Sequence, residues 1–278
     1  MNSSHSSTRP WVLITGASRG IGEAFTRRFA HEGWNIVLVA RLIEPLRTLA
    51  RHLETEEGVK TIVMAADLTE HGASEQVYQE VKRREITLRG LVNNAGCGVD
   101  GLFAQAPLPR SLEIIDLNVR ALVELTRLFL GDMLSEKQGL IINISSSACF
   151  QPLPFNAVYA ATKAFVTSFT EALWLETKGT GVRVLNVCPG LTKTDFGIRA
   201  GMGDFKSDPF AETPEQVVES TFRALKKTQP TVISGWNNRW RVRIQCRLPH
   251  RWLLFLVDLY QRFRKRSSKR ESGAKNEV

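Results

Sequence analysis

WVLITGASRGIG occupies residues 11–22. An apolar, β-branched run opens it and glycines follow at Gly16, Gly20 and Gly22, a pattern that predicts a strand turning into a helix that begins near Ile21. The G-x3-G-x-G spacing differs from the G-x-G-x-x-G of dinucleotide-binding folds. Its physical use is the same, since backbone amides can reach a pyrophosphate only where no side chain intervenes. A tight strand-to-helix turn that binds nothing would be spelled the same way.

Outward from this segment, short β-branched runs alternate with longer amphipathic stretches, as repeated βαβ units do. Strands are expected at 11–15, 35–40, 61–66, 90–94, 140–145, 182–188 and 231–234. The near-continuous apolar runs VLVA and LIINI suit strands covered by helices on both faces. The fold class expected is therefore α/β, a Rossmann-like doubly wound parallel sheet of about seven strands in a single domain over 11–235. Residues 195–214 carry Gly and Pro without helical periodicity and read as a substrate lid. Residues 1–10, polar and Ser-rich, read as a disordered N-terminus with no secretory apolar stretch.

The charge is localised. Residues 236–278 hold twelve Lys and Arg against three acids, which accounts for the whole net charge of +9 over the 278 residues. A neutral domain with a basic tail points away from nucleic acid, and no recognition motif for it accompanies the tail. Within that extension WLLFLVDLYQRFRKR joins an apolar run from Trp252 to Val257 with a basic cluster. The run is too short to span a bilayer, but a peripheral contact with an anionic membrane fits its amphipathic make-up. A helix covering the substrate pocket and a disordered basic end are the other readings. Cys97, Cys149, Cys188 and Cys246 are widely spaced and suggest neither a disulfide framework nor a metal site. A cytoplasmic location, with membrane association through the extension as a further reading, is the corresponding expectation.

With these motifs in register from about Trp11 to Ser234, the sequence resembles the short-chain dehydrogenase/reductase family. The marks are TGASRGIG at 15–22, Asp67 after the third strand, NNAG at 93–96, Asn118 in IDLNVRAL, Ser146, YAATK at 159–163 and CPGLTKT at 188–194. The resemblance implies a nicotinamide cofactor held by Gly16, Ser18, Arg19, Gly20, Ile21 and Gly22. Asp67 and Leu68 would meet the adenine, and Asn94, Ala95 and Gly96 would line the adenosine ribose. Pro189, Gly190, Leu191 and Thr194 would lie beside the nicotinamide. The second strand ends Val39-Ala40-Arg41 with no acid to repel a 2′-phosphate, and Arg41 and Arg19 would flank that group, so NADP(H) is expected. The resemblance also implies a homo-oligomer, dimer or tetramer, joined through the long fourth and fifth helices.

Tyr159 and Lys163 are four apart in an apolar helical stretch and project from one face. An ammonium that close favours phenolate and is expected to lower the phenol's pKa, making Tyr159 a tuned acid and base. Tyr78 and Lys82 have the same spacing, so the pair alone is uninformative. Ser146 ends a strand at the carboxyl edge of the sheet, where its hydroxyl would steady developing charge on a substrate oxygen. Ser145 and Ser147 leave a one-residue ambiguity. Asn118 in its apolar helix would join a water relay to the lysine, as the resemblance implies. Lys163 would also hold the nicotinamide ribose.

Phe150, Leu153, Phe155, Phe196, Ile198, Met202 and Phe205 suggest an apolar substrate cavity. The reading is thus hydride transfer between NADP(H) and a small lipophilic carbonyl or alcohol, whether ketone, 3-oxoacyl or steroid-like. The alternative is a membrane-recruited nicotinamide-binding regulatory protein without turnover.

Overall fold

All the expected apolar runs become parallel strands in the computed structural model, which describes residues 9–249 and 251–259. They are β1 (Trp11–Thr15), β2 (Asn35–Ala40), β3 (Thr61–Ala65), β4 (Leu88–Asn93), β5 (Gly139–Ile144), β6 (Val182–Cys188) and β7 (Thr231–Ile233). The sheet order is β3-β2-β1-β4-β5-β6-β7. Ile14 of the central β1 pairs with Leu38 on one side and Val92 on the other. The winding direction reverses between β1 and β4, and a ligand crevice opens at the carboxyl ends of strands at such a switch point.

The helices are α1 (Gly20–His31), α2 (Ile43–Glu56), α3 (Ala73–Arg83), α4 (Leu108–Ile115), α5 (Ala121–Ser135), α6 (Ala157–Glu176), α7 (Phe196–Arg199), α8 (Pro214–Leu225) and α9 (Trp236–Gln245). On one sheet face Phe25 and Phe29 of α1, Leu46 and Leu53 of α2 and Val217 of α8 pack on Ile14 and Leu38. On the other, Val81 of α3, Leu125 and Phe129 of α5 and Leu173 of α6 pack on Leu13, Leu91 and Ile141. Each fully buried side chain of this size contributes about 1.5–3 kcal/mol relative to exposure. The doubly wound sheet follows from strands that are apolar on both faces.

Three details go beyond the sequence reading. The apolar stretch of 108–135 is one helical rod with a π-helical turn at Asp116–Arg120. The segment of 195–214 is built rather than loose, with the single turn α7, a bridge from Thr192 to Glu212, and an Asp195–Lys206 ion pair at 2.6 Å. Of the N-terminal ten, Arg9 and Pro10 are tied down, Arg9 Nη1 donating to Gly58 O at 2.6 Å and Pro10 O accepting from Asn35 N at 2.9 Å. Residues 1–8, and the extension's basic cluster within 260–278, lie outside the described residues.

Candidate active site

The cleft at the switch point has a volume of about 780 Å³. Its floor begins with the glycine turn. Gly16 and Gly20 adopt φ of 65° and 56°, a left-handed conformation that side chains disfavour. A Cβ on Gly22 would overlap the Gly16 carbonyl and the Asn94 carboxamide, so the third glycine serves packing and does not line the cleft. Asn94 Nδ2 donates to Thr15 O at 2.9 Å and fixes the turn against β4. No side chain caps the start of α1, which leaves its first amides facing the cleft for an anion.

Ser18, Arg19, Gly20, Ile21, Arg41, Asp67, Leu68, Asn94, Ala95 and Gly96 all line this end of the cleft. Arg41 makes long ion pairs with Asp67 (3.9 Å) and Glu113 (3.8 Å), and Arg19 makes none that are recorded among the described residues. A third guanidinium, Arg199 of α7, lines the same cleft. Its pKa is depressed by burial first and then by repulsion from Arg19, with Arg41 adding a smaller push. Positive charge accumulated around a glycine-floored crevice fits a phosphate-rich ligand. The sequence reading missed Arg199 because nothing in its local pattern says that α7 folds across the cleft.

At the opposite end Ser146, Tyr159 and Lys163 converge. Hydrogen bonding separates Ser146 from Ser145. Ser145 is buried, its Oγ donating to Lys163 O at 2.8 Å and lying 2.8 Å from Thr167 Oγ1, which spends it on fastening α6. Ser146 Oγ accepts from Ala148 N at 3.1 Å and is also hydrogen-bonded to Tyr159. The Tyr159 ring packs on Phe196, centroids 5.6 Å apart. Lys163 Nζ lies 5.8 Å from the centre of that ring and donates to Ile144 O at 2.9 Å.

The electrostatics differ from the sequence expectation. Burial pushes the Tyr159 phenol up to about 12, and the Ser146 hydrogen bond only partly opposes it. Burial brings the Lys163 ammonium down to about 8. Desolvation disfavours the charged form of each, and the ammonium is hydrogen-bonded to a backbone carbonyl.

Asn118 stands one layer behind the cleft, 1% exposed, on the π-helical turn. Its Oδ1 accepts from Cys97 N at 3.0 Å, and its Nδ2 donates to Cys97 O (3.0 Å) and Thr162 Oγ1 (3.1 Å). A Cβ placed on Gly96 would touch both Asn118 Oδ1 (3.3 Å) and Lys163 Nζ (3.5 Å), so these two groups share one small space. π-Bulges recur at functional sites because they aim a side chain that regular helix would misplace.

The walls came only partly from sequence. Leu153, Phe196, Met202 and Phe205 line the cleft, as do Pro189, Gly190, Leu191 and Thr194, whereas Phe150, Phe155 and Ile198 do not. Asn238, Arg241, Val242 and Gln245 of α9 supply a further wall. Glu212 fastens it, accepting from Ser234 Oγ at 2.9 Å and Asn238 Nδ2 at 3.1 Å. The extension beyond 235 thus begins as part of the domain. The control pair behaves differently: Tyr78 and Lys82 both bind Asp132, each at 3.2 Å, on α3 and away from the cleft.

A sequence profile described as short chain dehydrogenase matches residues 10–203. The 17-beta-hydroxysteroid dehydrogenase type 3 of Mus musculus is 32% identical over 216 residues, 77% of this chain and 68% of that protein. Sulfoacetaldehyde reductase 2 of Chromohalobacter salexigens is 38% identical over 195 residues, 69% of this chain and 77% of that one. The structure of a short-chain dehydrogenase from Sphingobium yanoikuyae in complex with NADPH superposes with a TM-score of 0.78 at 33% identity, covering 86% of this chain and 93% of the other. Sheet order, glycine turn and converging Ser146, Tyr159 and Lys163 agree with the profile match: the chain belongs to the short-chain dehydrogenase family of oxidoreductases.

Proposed function

We propose that this chain interconverts a lipophilic ketone or aldehyde and its alcohol with NADP(H), using Ser146, Tyr159 and Lys163 as catalytic residues. The observation that carries the reading is the meeting of the Tyr159 phenol with Ser146 at the apolar end of a cleft whose other end is cationic and glycine-floored. NADP(H), when bound, supplies or accepts the hydride. Gly16, Ser18, Arg19, Gly20, Ile21 and Arg41 would hold its phosphates, Asp67, Leu68 and Asn94 to Gly96 its adenosine, and Pro189 to Leu191 with Thr194 its nicotinamide.

Tyr159 carries its proton throughout the neutral range and donates it to the substrate oxygen as negative charge grows there. The Ser146 hydroxyl donates a second hydrogen bond to that oxygen. Lys163 holds the ribose and supplies positive charge nearby, and Asn118 positions the backbone around it. In the oxidising direction Tyr159 acts as its phenolate and takes the alcohol proton, which regenerates the phenol. Leu153, Phe196, Met202, Phe205 and Val242 favour a bulky apolar body over a small polar one. The 17-beta-hydroxysteroid dehydrogenase relative supports a steroid-like substrate. The reading without turnover has no observation in its favour, since the acid, the lysine and the serine are all brought to the cleft.

A panel of ketones and aldehydes followed by NADPH absorbance tests the function. Tyr159→Phe should lower turnover by roughly 10²–10⁴ while NADPH still binds. Activity surviving that change would refute the mechanism. We further propose a homo-oligomer through α5 and α6, supported by exposed Leu134, Phe165 and Leu175 on those helices. Sedimentation equilibrium would show a dimer or tetramer.

A further inference from the structure

The C-terminal helices carry more apolar surface than the fold covers. Residues 251–259 are helical. Leu253 and Val257, one turn apart, are buried at 7% each. The remaining apolar positions face out: Trp252 (63%), Leu254 (41%), Phe255 (58%), Leu256 (46%) and Leu259 (42%). A helix that is apolar around its whole circumference requires a second apolar partner. α9 repeats the arrangement. Asn238 and Val242 face the domain, whereas Trp236 and Trp240 stand on the opposite side, exposed and in edge contact with ring centres 5.8 Å apart.

Charge selects the partner. Besides Arg241, which lines the cleft, the chain from Trp236 to Leu259 carries Arg239, Arg243, Arg247 and Arg251, with Asp258 as its only acid. A second copy meeting this face through a two-fold axis would set like charges against like. An anionic bilayer supplies the opposite sign together with an apolar interior for the tryptophans, phenylalanine and leucines. No described helix is long and apolar enough to cross a membrane, so the contact is one of lying on the surface.

We propose that α9 and the helix of 251–259 form a docking face for anionic phospholipid bilayers. α9 then has two sides with two uses. Its inner side walls the cleft through Asn238, Arg241, Val242 and Gln245, and its outer tryptophans sit in the bilayer interface. The cleft is thereby held beside the phase into which a lipophilic carbonyl partitions. That last consequence rests on the function proposed above, whereas the docking itself does not.

The full-length protein should cosediment with phosphatidylglycerol vesicles and not with pure phosphatidylcholine vesicles. Binding should weaken between about 0.1 M and about 1 M salt, as the screening length falls from about 10 Å to about 3 Å. The triple variant Trp252→Ser, Phe255→Ser, Leu256→Ser should bind at least about tenfold more weakly. None of these three lines the cleft, so its turnover of a water-soluble ketone should stay at the wild-type level. Brominated acyl chains should quench the wild-type tryptophan fluorescence, and Trp252→Phe should lose part of that quenching, a readout independent of how the triple variant folds. The proposal is overturned if the wild type ignores phosphatidylglycerol vesicles, if bromolipid quenches nothing, or if the triple variant loses a protein dimer instead of lipid binding. A protein that binds vesicles but turns over no ketone would refute the function and leave the docking face standing.

Discussion

The ammonium of Lys163 donates to the carbonyl oxygen of Ile144 at 2.9 Å, at the end of β5. This cation beside the Tyr159 ring is thus held by backbone and is 5% exposed.

Such burial has a cost that can be read as stability. The folded-state pKa of Lys163 is depressed from 10.5 to about 8. Between those values the unfolded chain binds the proton and the folded one does not, so this lysine makes stability rise with pH from about 8 to 10.5. Below that window the full penalty applies. Lys163→Met should therefore stabilise the cofactor-free protein at pH 7 by on the order of 1–3 kcal/mol, seen as a higher thermal midpoint, and abolish turnover. A variant less stable than wild type at pH 7 would contradict this assignment.

The same two pKa directions order the pH profile of reduction. Tyr159 remains protonated up to about 12, whereas Lys163 loses its charge near 8. The alkaline limb of kcat/KM in the reducing direction should fall with a midpoint near that of the lysine. A limb appearing only where free phenols ionise would show that the lysine charge is not needed.

Asn118 satisfies three groups at once, the amide and carbonyl of Cys97 and the hydroxyl of Thr162. Asn118→Leu would leave buried polar atoms unpaired, at about 1–3 kcal/mol for each group left unsatisfied. Urea denaturation should show a lower midpoint. Because the Gly96 backbone lies between this residue and Lys163, kcat should fall more than KM rises.

Arg199 lines the cleft with Arg19 and Arg41 and is repelled by both. Fluorescence titration of Arg199→Gln should show NADPH affinity reduced by about tenfold, the loss of one charge-assisted contact. Unchanged affinity would place the guanidinium in solvent when the cofactor binds.

Glu212 joins the substrate segment to α9 through Ser234 and Asn238. Glu212→Ala should loosen that wall and raise KM for a bulky ketone several-fold, with kcat for a small one nearly unchanged. Steady-state kinetics on two substrates of different size would separate these effects.

Strand positions, the glycine turn and the candidate residues were legible in the chain itself, because apolar periodicity and glycine placement are local properties that fix where backbone can turn and approach an anion. Tertiary structure decided what the sequence left open. It separated Ser146 from Ser145 by giving the latter a buried partner on α6, and Tyr159 from Tyr78 by placing one in the cleft and the other on Asp132. It reversed the expected acidity of the phenol, since desolvation depends on what surrounds a group and not on its spacing from a neighbour. It brought Arg199 and α9 to the cleft through long-range packing that no local pattern encodes.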